Sequence, residues 1–111
     1  MALETAFHEK SYRQLCENEA IAERKLGTRV AGKLKRRLAD LRAATNVKDI
    51  VVGKPRLLGS GHQQQIALEL GDGYCLTFCS NHNSHPLLAS GEIDWSQVSR
   101  IKILRIENHH G

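Results

Sequence analysis

No uninterrupted apolar run in this sequence approaches the roughly 20 residues that a helix needs to cross a hydrocarbon layer, so no membrane-spanning helix is expected. The N-terminus lacks the basic-then-apolar layout of a secretory signal peptide, and the expected location is the cytoplasm. Cysteine is scarce and its count is odd. Three thiols without an export signal argue against a disulfide framework and for a reducing compartment. Cys16, Cys75 and Cys79 are therefore expected as core residues. Internal repeats and low-complexity tracts are also missing. What is present, 111 residues of which 41% are hydrophobic, suffices for one domain over residues 1–111 with one modest core, and leaves no room for a second.

The net charge of +4 is unevenly spread. Residues 1–56 hold 13 Lys and Arg against 7 Asp and Glu, whereas residues 57–111 hold 3 against 5. The positive field belongs to the N-terminal half, where it favours polyanions and speeds encounter with RNA, DNA or an acidic protein.

Residues 2–8 read as a short opening strand. Residues 11–26 read as helical, with Tyr12, Leu15, Cys16 and Ile21 forming an imperfect apolar face and Asn18 marking a point of breakage or re-capping. Gly27 stops that segment and Thr28 is the predicted N-cap of a second helix, in which Val30, Leu34, Leu38 and Leu41 recur at helical spacing up to Ala44. Its other faces carry Arg29, Lys33, Lys35, Arg36, Arg37 and Arg42 against the single acid Asp40. That excess points to RNA or an acidic partner.

Residues 47–61 contain Gly53, Pro55, Gly59 and Gly61 and read as an irregular loop where helices give way to strands. Residues 66–70 and 74–79 flank Gly71-Asp72-Gly73, a turn able to supply the positive φ angles of a tight hairpin, so the sheet is at least partly antiparallel. A polar stretch over 80–92 leads to a single helical turn at 94–98 and a final strand over 99–107.

Three constellations could carry chemistry. Cys75, Cys79, His82 and His85 offer four metal-ligand types within eleven residues. The two thiols, however, lie on one face of a strand roughly 13 Å apart when extended, too far for one zinc ion, and no metal is expected. A second group is Lys54, Arg56 and His62 in the glycine-rich loop, two cations and an imidazole suited to a phosphate. The third is the pair His109 and His110 at the end of the last apolar run, with Arg100, Lys102 and Arg105 on the same strand. Strict alternation places Arg100 and Lys102 on one sheet face and Arg105 on the other, so only a bulge can unite them. Two imidazoles titrating near neutral pH among cations suggest acid–base work on a phosphodiester.

Taken together, Phe7, Leu15-Cys16, the segment 33–44 with its Leu-Ala-Asp-Leu-Arg-Ala-Ala, the Gly/Pro loop 53–61, Gly73-Tyr74-Cys75-Leu76-Thr77-Phe78, Asp94-Trp95 and the segment 101–110 make the chain resemble the HigB-type branch of the RelE/ParE toxin superfamily. The resemblance implies an α+β fold, RelE/ParE-like, with N-terminal helices packed on a twisted, mainly antiparallel β-sheet. It also implies a plasmid- or chromosome-borne toxin of a type II toxin–antitoxin system, paired with a helix-turn-helix antitoxin, that acts on the ribosome by cleaving mRNA. That reaction needs neither metal nor cofactor: a base takes the ribose 2′-OH proton, an acid protonates the leaving 5′-oxygen, and cations steady the transition state.

By the resemblance, His110 matches the family's terminal histidine, while Asn108 and His109 replace an acid and a tyrosine. His110 and His109 become the acid–base candidates, His62 a second imidazole, and Lys54, Arg56 and Arg105 the phosphate-binding groups. Arg29, Lys33, Arg36 and Arg37 should face the ribosome or the antitoxin. The chain departs from the pattern at Cys75, where the family commonly places arginine, and restoring arginine there is expected to raise cleavage. Two alternatives share the fold: a catalytically inactive member that binds antitoxin or nucleic acid, and a ParE-like member acting on gyrase.

Overall fold

Asn18 divides what periodicity predicts as one helix over residues 11–26. In the computed structural model, which describes residues 3–108, its backbone is extended, at φ −128°. Its backbone N–H donates to the Gln14 carbonyl and closes helix α1 (Lys10–Glu17), while its side-chain oxygen accepts the Ile21 N–H at 3.1 Å and opens α2 (Glu19–Leu26). An asparagine that satisfies free N–H groups at a helix start stabilises a boundary better than a helix interior. Gly27, at φ 85°, closes α2 and occupies the cap position of α3 (Thr28–Ala43). Thr28, predicted as that cap, is instead the first helical residue, because only glycine takes the left-handed backbone of the junction without strain.

The apolar stripe of α3, Val30, Ala31, Leu34, Leu38 and Leu41, is buried. It joins one core cluster with Ile66, Leu68 and Leu70, Leu76 and Phe78, and Ile101, Ile103 and Ile106. These last residues lie on β3 (Gln65–Gly71), β4 (Tyr74–Ser80) and β5 (Arg100–Asn108). With β1 (Glu4–Phe7) and β2 (Arg56–Leu58) they form a five-stranded sheet in the order β1-β5-β4-β3-β2. β1 runs parallel to β5, and the other three pairings are antiparallel. The architecture is α+β with a mixed, mainly antiparallel sheet.

Gly71 pairs with Tyr74 across a two-residue turn in which Asp72 and Gly73 have φ 52° and 82°, the two positive values of the hairpin turn that matches strand twist. β2 lies inside the stretch read as irregular. It has three residues between Pro55 and Gly59, too few to show a period, and it is ordered by pairing with β3. Past β4, Trp95 meets Phe78 edge-on, with ring centroids 6.3 Å apart, and Asp94 caps the short turn Trp95–Gln97.

The register between β4 and β5 slips once. Thr77 pairs with Arg105 and Phe78 with Ile103, leaving Leu104 as an extra residue. The cause is the isoleucine spacing: Ile101 and Ile103 are two apart but Ile106 is three further on, so all three reach the core only if the strand bulges. The bulge returns Arg105 to the face that carries Lys102, which corrects the expectation from strict alternation.

Candidate nucleic-acid interface

The sheet face opposite α3 carries Arg56, Gln65, Ala67, Glu69, Cys75, Thr77, Cys79, Lys102, Arg105 and the exposed Glu107 among others, as the strand registers dictate. None of them belongs to the apolar core cluster. Two arginines cross this face from opposite sides. Arg56 on β2 reaches over β3 and donates to the Cys75 thiol of β4 at 3.6 Å. Arg105 on β5 reaches over β4 and donates to the Gln65 amide oxygen of β3 at 2.8 Å. Beneath them Ala67, Cys75 and Thr77 are buried, and the Thr77 hydroxyl has no hydrogen-bond partner among the described residues. The position where the resemblance expected an arginine is therefore already beneath a guanidinium, supplied by Arg56 from a neighbouring strand.

Lys54 has a left-handed backbone at φ 48° and its ammonium lies 3.7 Å from the Glu69 carboxylate, an exposed ion pair of about 0–1 kcal/mol. Such a pair yields readily to a phosphate. Lys54 and Arg56 thus gather at the Glu69–Cys75 part of the face. His62 does not join them: it sits in the short turn Gly61–Gln63, exposed, beside the Gln65 and Cys79 end of the sheet. Asn108 lies at the opposite end, paired with Tyr74. His109 and His110 fall outside the described residues.

A cleft of about 710 Å³ opens at the His62 end, lined among others by Gln65, Cys79, His82, His85 and Lys102. His82 Nε2 accepts the backbone N–H groups of Ser99, at 3.0 Å, and Arg100, at 3.3 Å, and so ties the loop after β4 to the start of β5. That role requires a neutral ring. Burial, and then the nearby charges of Arg100 and His85, lower its pKa from the usual histidine value, with Glu4 opposing. His85 Nδ1 lies 3.0 Å from the Ser80 hydroxyl. Sequence reading treated both histidines only as metal candidates, because contact with residues 99 and 100 has no local signature.

Among the described residues no group of three or more His, Cys, Asp or Glu side chains is arranged to hold a metal ion. Cys75 and Cys79 pair with Glu69 and Gln65 respectively, four residues apart along β4. Cys79 is half-buried, and desolvation raises its pKa against the pull of Lys102. Cys16, also partly buried, is pushed up to about 12 by burial, so neither thiol ionises at neutral pH.

The basic helix lies on the other side of the sheet, since α3 packs its apolar stripe on the core face. Its cations and the arginine pair address different sides of the molecule. Arg29 is exposed and stands 3.9 Å from Asp72 in the β3–β4 turn; Arg36 is exposed and Lys33 partly so. Arg37, also expected to face a partner, is mostly covered. Its side chain is 14% exposed, it bonds Asp40 at 2.8 Å, and its Nε is buried without a partner among the described residues. It packs so closely under the following loop that a Cβ at Gly53 would stand 2.9 Å from that nitrogen.

No helix among the described residues is long and apolar enough to cross a membrane. In comparison with known proteins, no protein family, no curated protein and no solved structure matches the chain.

Proposed function

We propose that this chain is a cytoplasmic toxin of the RelE/ParE superfamily, HigB-like, which cleaves mRNA on the ribosome and is neutralised by a helix-turn-helix antitoxin. The observation that supports the reading most is the pair of arginines laid across the uncovered sheet face, Arg56 ending at Cys75 and Arg105 at Gln65, each held by one bond to a neutral acceptor. An arginine so placed keeps donors to spare for a phosphodiester and binds it with charge-assisted hydrogen bonds.

In the proposed reaction a base removes the ribose 2′-OH proton and the 2′-oxygen attacks the adjacent phosphorus. The bond to the 5′-oxygen then breaks as an acid delivers a proton to it, leaving a 2′,3′-cyclic phosphate and a 5′-hydroxyl. Arg56 stabilises the extra negative charge on the phosphoryl oxygens, with Lys54 as a further cation once released from Glu69, and Arg105 holds the RNA strand through a neighbouring phosphate. His110 and His109 are the assigned proton-transfer groups.

The test is expression without antitoxin, with growth and the 5′ ends of mRNA followed together. The parent should arrest growth and leave cleaved, translation-dependent mRNA ends, and His110→Ala should lower cleavage by about 10²–10⁴-fold. Growth arrest with intact mRNA and induced DNA-damage signalling would refute cleavage in favour of gyrase as the target.

A further inference from the structure

Among the described residues, the cleft at the His62 end has no Asp or Glu in its lining. Among the described residues its one full cation, Lys102, forms no ion pair, and His62, exposed at the rim, has no hydrogen-bond partner. Gln65 also faces it. Arg105 takes the amide oxygen of Gln65, which leaves the amide N–H groups as donors. Leu104, the residue extruded by the β5 bulge, adds an apolar surface to this polar lining. At about 710 Å³ the space lies within the roughly 300–1,000 Å³ of small-molecule sites.

This inventory selects its ligand. A cation and imidazoles without a carboxylate favour an anion, since nothing in the lining repels negative charge. A bare phosphate would leave Leu104 and most of the volume unused. A ligand that joins a phosphate to a flat, hydrogen-bonding ring uses all of them. We infer that the cleft seats one nucleotide of a single-stranded RNA, its phosphate on Lys102 and His62 and its base against Leu104 and the Gln65 amide. This rests on the RNA reading of the adjoining arginine face. Gln65 connects the two, because the residue that lines the cleft also holds Arg105 in place.

The full chain, free of ribosomes, would be titrated calorimetrically with adenosine 5′-monophosphate, adenosine, inorganic phosphate and a short adenine-rich RNA. The monophosphate should bind more tightly than adenosine or phosphate, and the RNA should displace it. Lys102→Gln should weaken monophosphate binding about tenfold, the effect of losing one charge-assisted bond, with an unchanged circular dichroism spectrum. His62→Gln, at an exposed position, should weaken it in the same direction, whereas Arg24→Gln on α2 should not. The proposal is overturned if phosphate binds as well as the monophosphate, if Lys102→Gln and His62→Gln leave binding unchanged, or if the RNA does not compete. Nucleotide binding that survives a failure of ribosome-dependent cleavage would sink the toxin activity alone.

Discussion

Arg105 donates to Gln65 from two strands away, spanning β4 at the step where Thr77 and Cys79 lie side by side along the open face. Arg56 makes the mirror-image crossing over β3 to Cys75. The two guanidinium groups are separate supports for one anion-binding surface. Arg105→Gln and Arg56→Gln are each expected to lower mRNA cleavage by about 10²-fold while the thermal midpoint changes little. Primer-extension yields from a ribosome-dependent reaction, measured beside melting curves, check this; wild-type cleavage in both variants would remove the arginines from the site.

Cys75→Arg is expected to lose stability without gaining activity, contrary to what the family pattern alone implies. The thiol is buried and already covered by Arg56, so a second guanidinium meets both crowding and like charge. Overpacking of this kind costs about 1–3 kcal/mol. Urea denaturation should show the loss, and adding Arg56→Ala should recover part of it because the two positions touch. A stable, more active Cys75→Arg protein would contradict this account.

Thr77→Val tests the orphan hydroxyl. The replacement keeps the branched shape and removes a buried polar atom that has no partner among the described residues. A gain of about 1 kcal/mol in unfolding free energy is expected, the magnitude of relieving one unsatisfied group. Loss of stability would mean that the hydroxyl is satisfied in solution.

His82 makes stability depend on pH. Its folded-state pKa lies below the ordinary 6.5, chiefly through burial, so the unfolded chain binds the proton more readily. The contribution is fully present above about pH 6.5 and is lost as pH falls through the folded-state value. Thermal midpoints between pH 8 and pH 5 should therefore decline on the acid side. His82→Gln should flatten that decline while lowering the midpoint at pH 8, since the Ser99 and Arg100 N–H groups lose their acceptor. A variant as acid-sensitive as the parent would assign the effect to other groups.

Helix α3 and the β3–β4 hairpin were legible because their signals are local: a 3.6-residue stripe from Val30 to Leu41, and Asp72-Gly73 between two apolar runs. Strand β2 was not, since three residues carry no period. The fate of Arg37 was equally hidden, because the loop that covers it arrives from Gly53, sixteen positions on in the chain by its number. The same holds for the bulge, although the Ile101, Ile103 and Ile106 spacing contained it in advance. Of the site, the cations were legible by type, but their grouping depended on register, which separated His62 from Arg56 and brought Arg105 to the side of Lys102.

Strand order also governs when this molecule can become whole. β5 lies between β1 and β4, and Glu4 pairs with Arg100, so the sheet's first strand waits for one made almost a full chain later. Closing so long a loop is slow compared with forming the α2–α3 turn or the β3–β4 hairpin. Until β5 inserts, Arg105 has no sheet to cross and Gln65 no guanidinium to hold. A nascent chain emerging from the ribosome therefore presents β1 as an unpaired edge, and it assembles its arginine surface only after synthesis of that strand is complete.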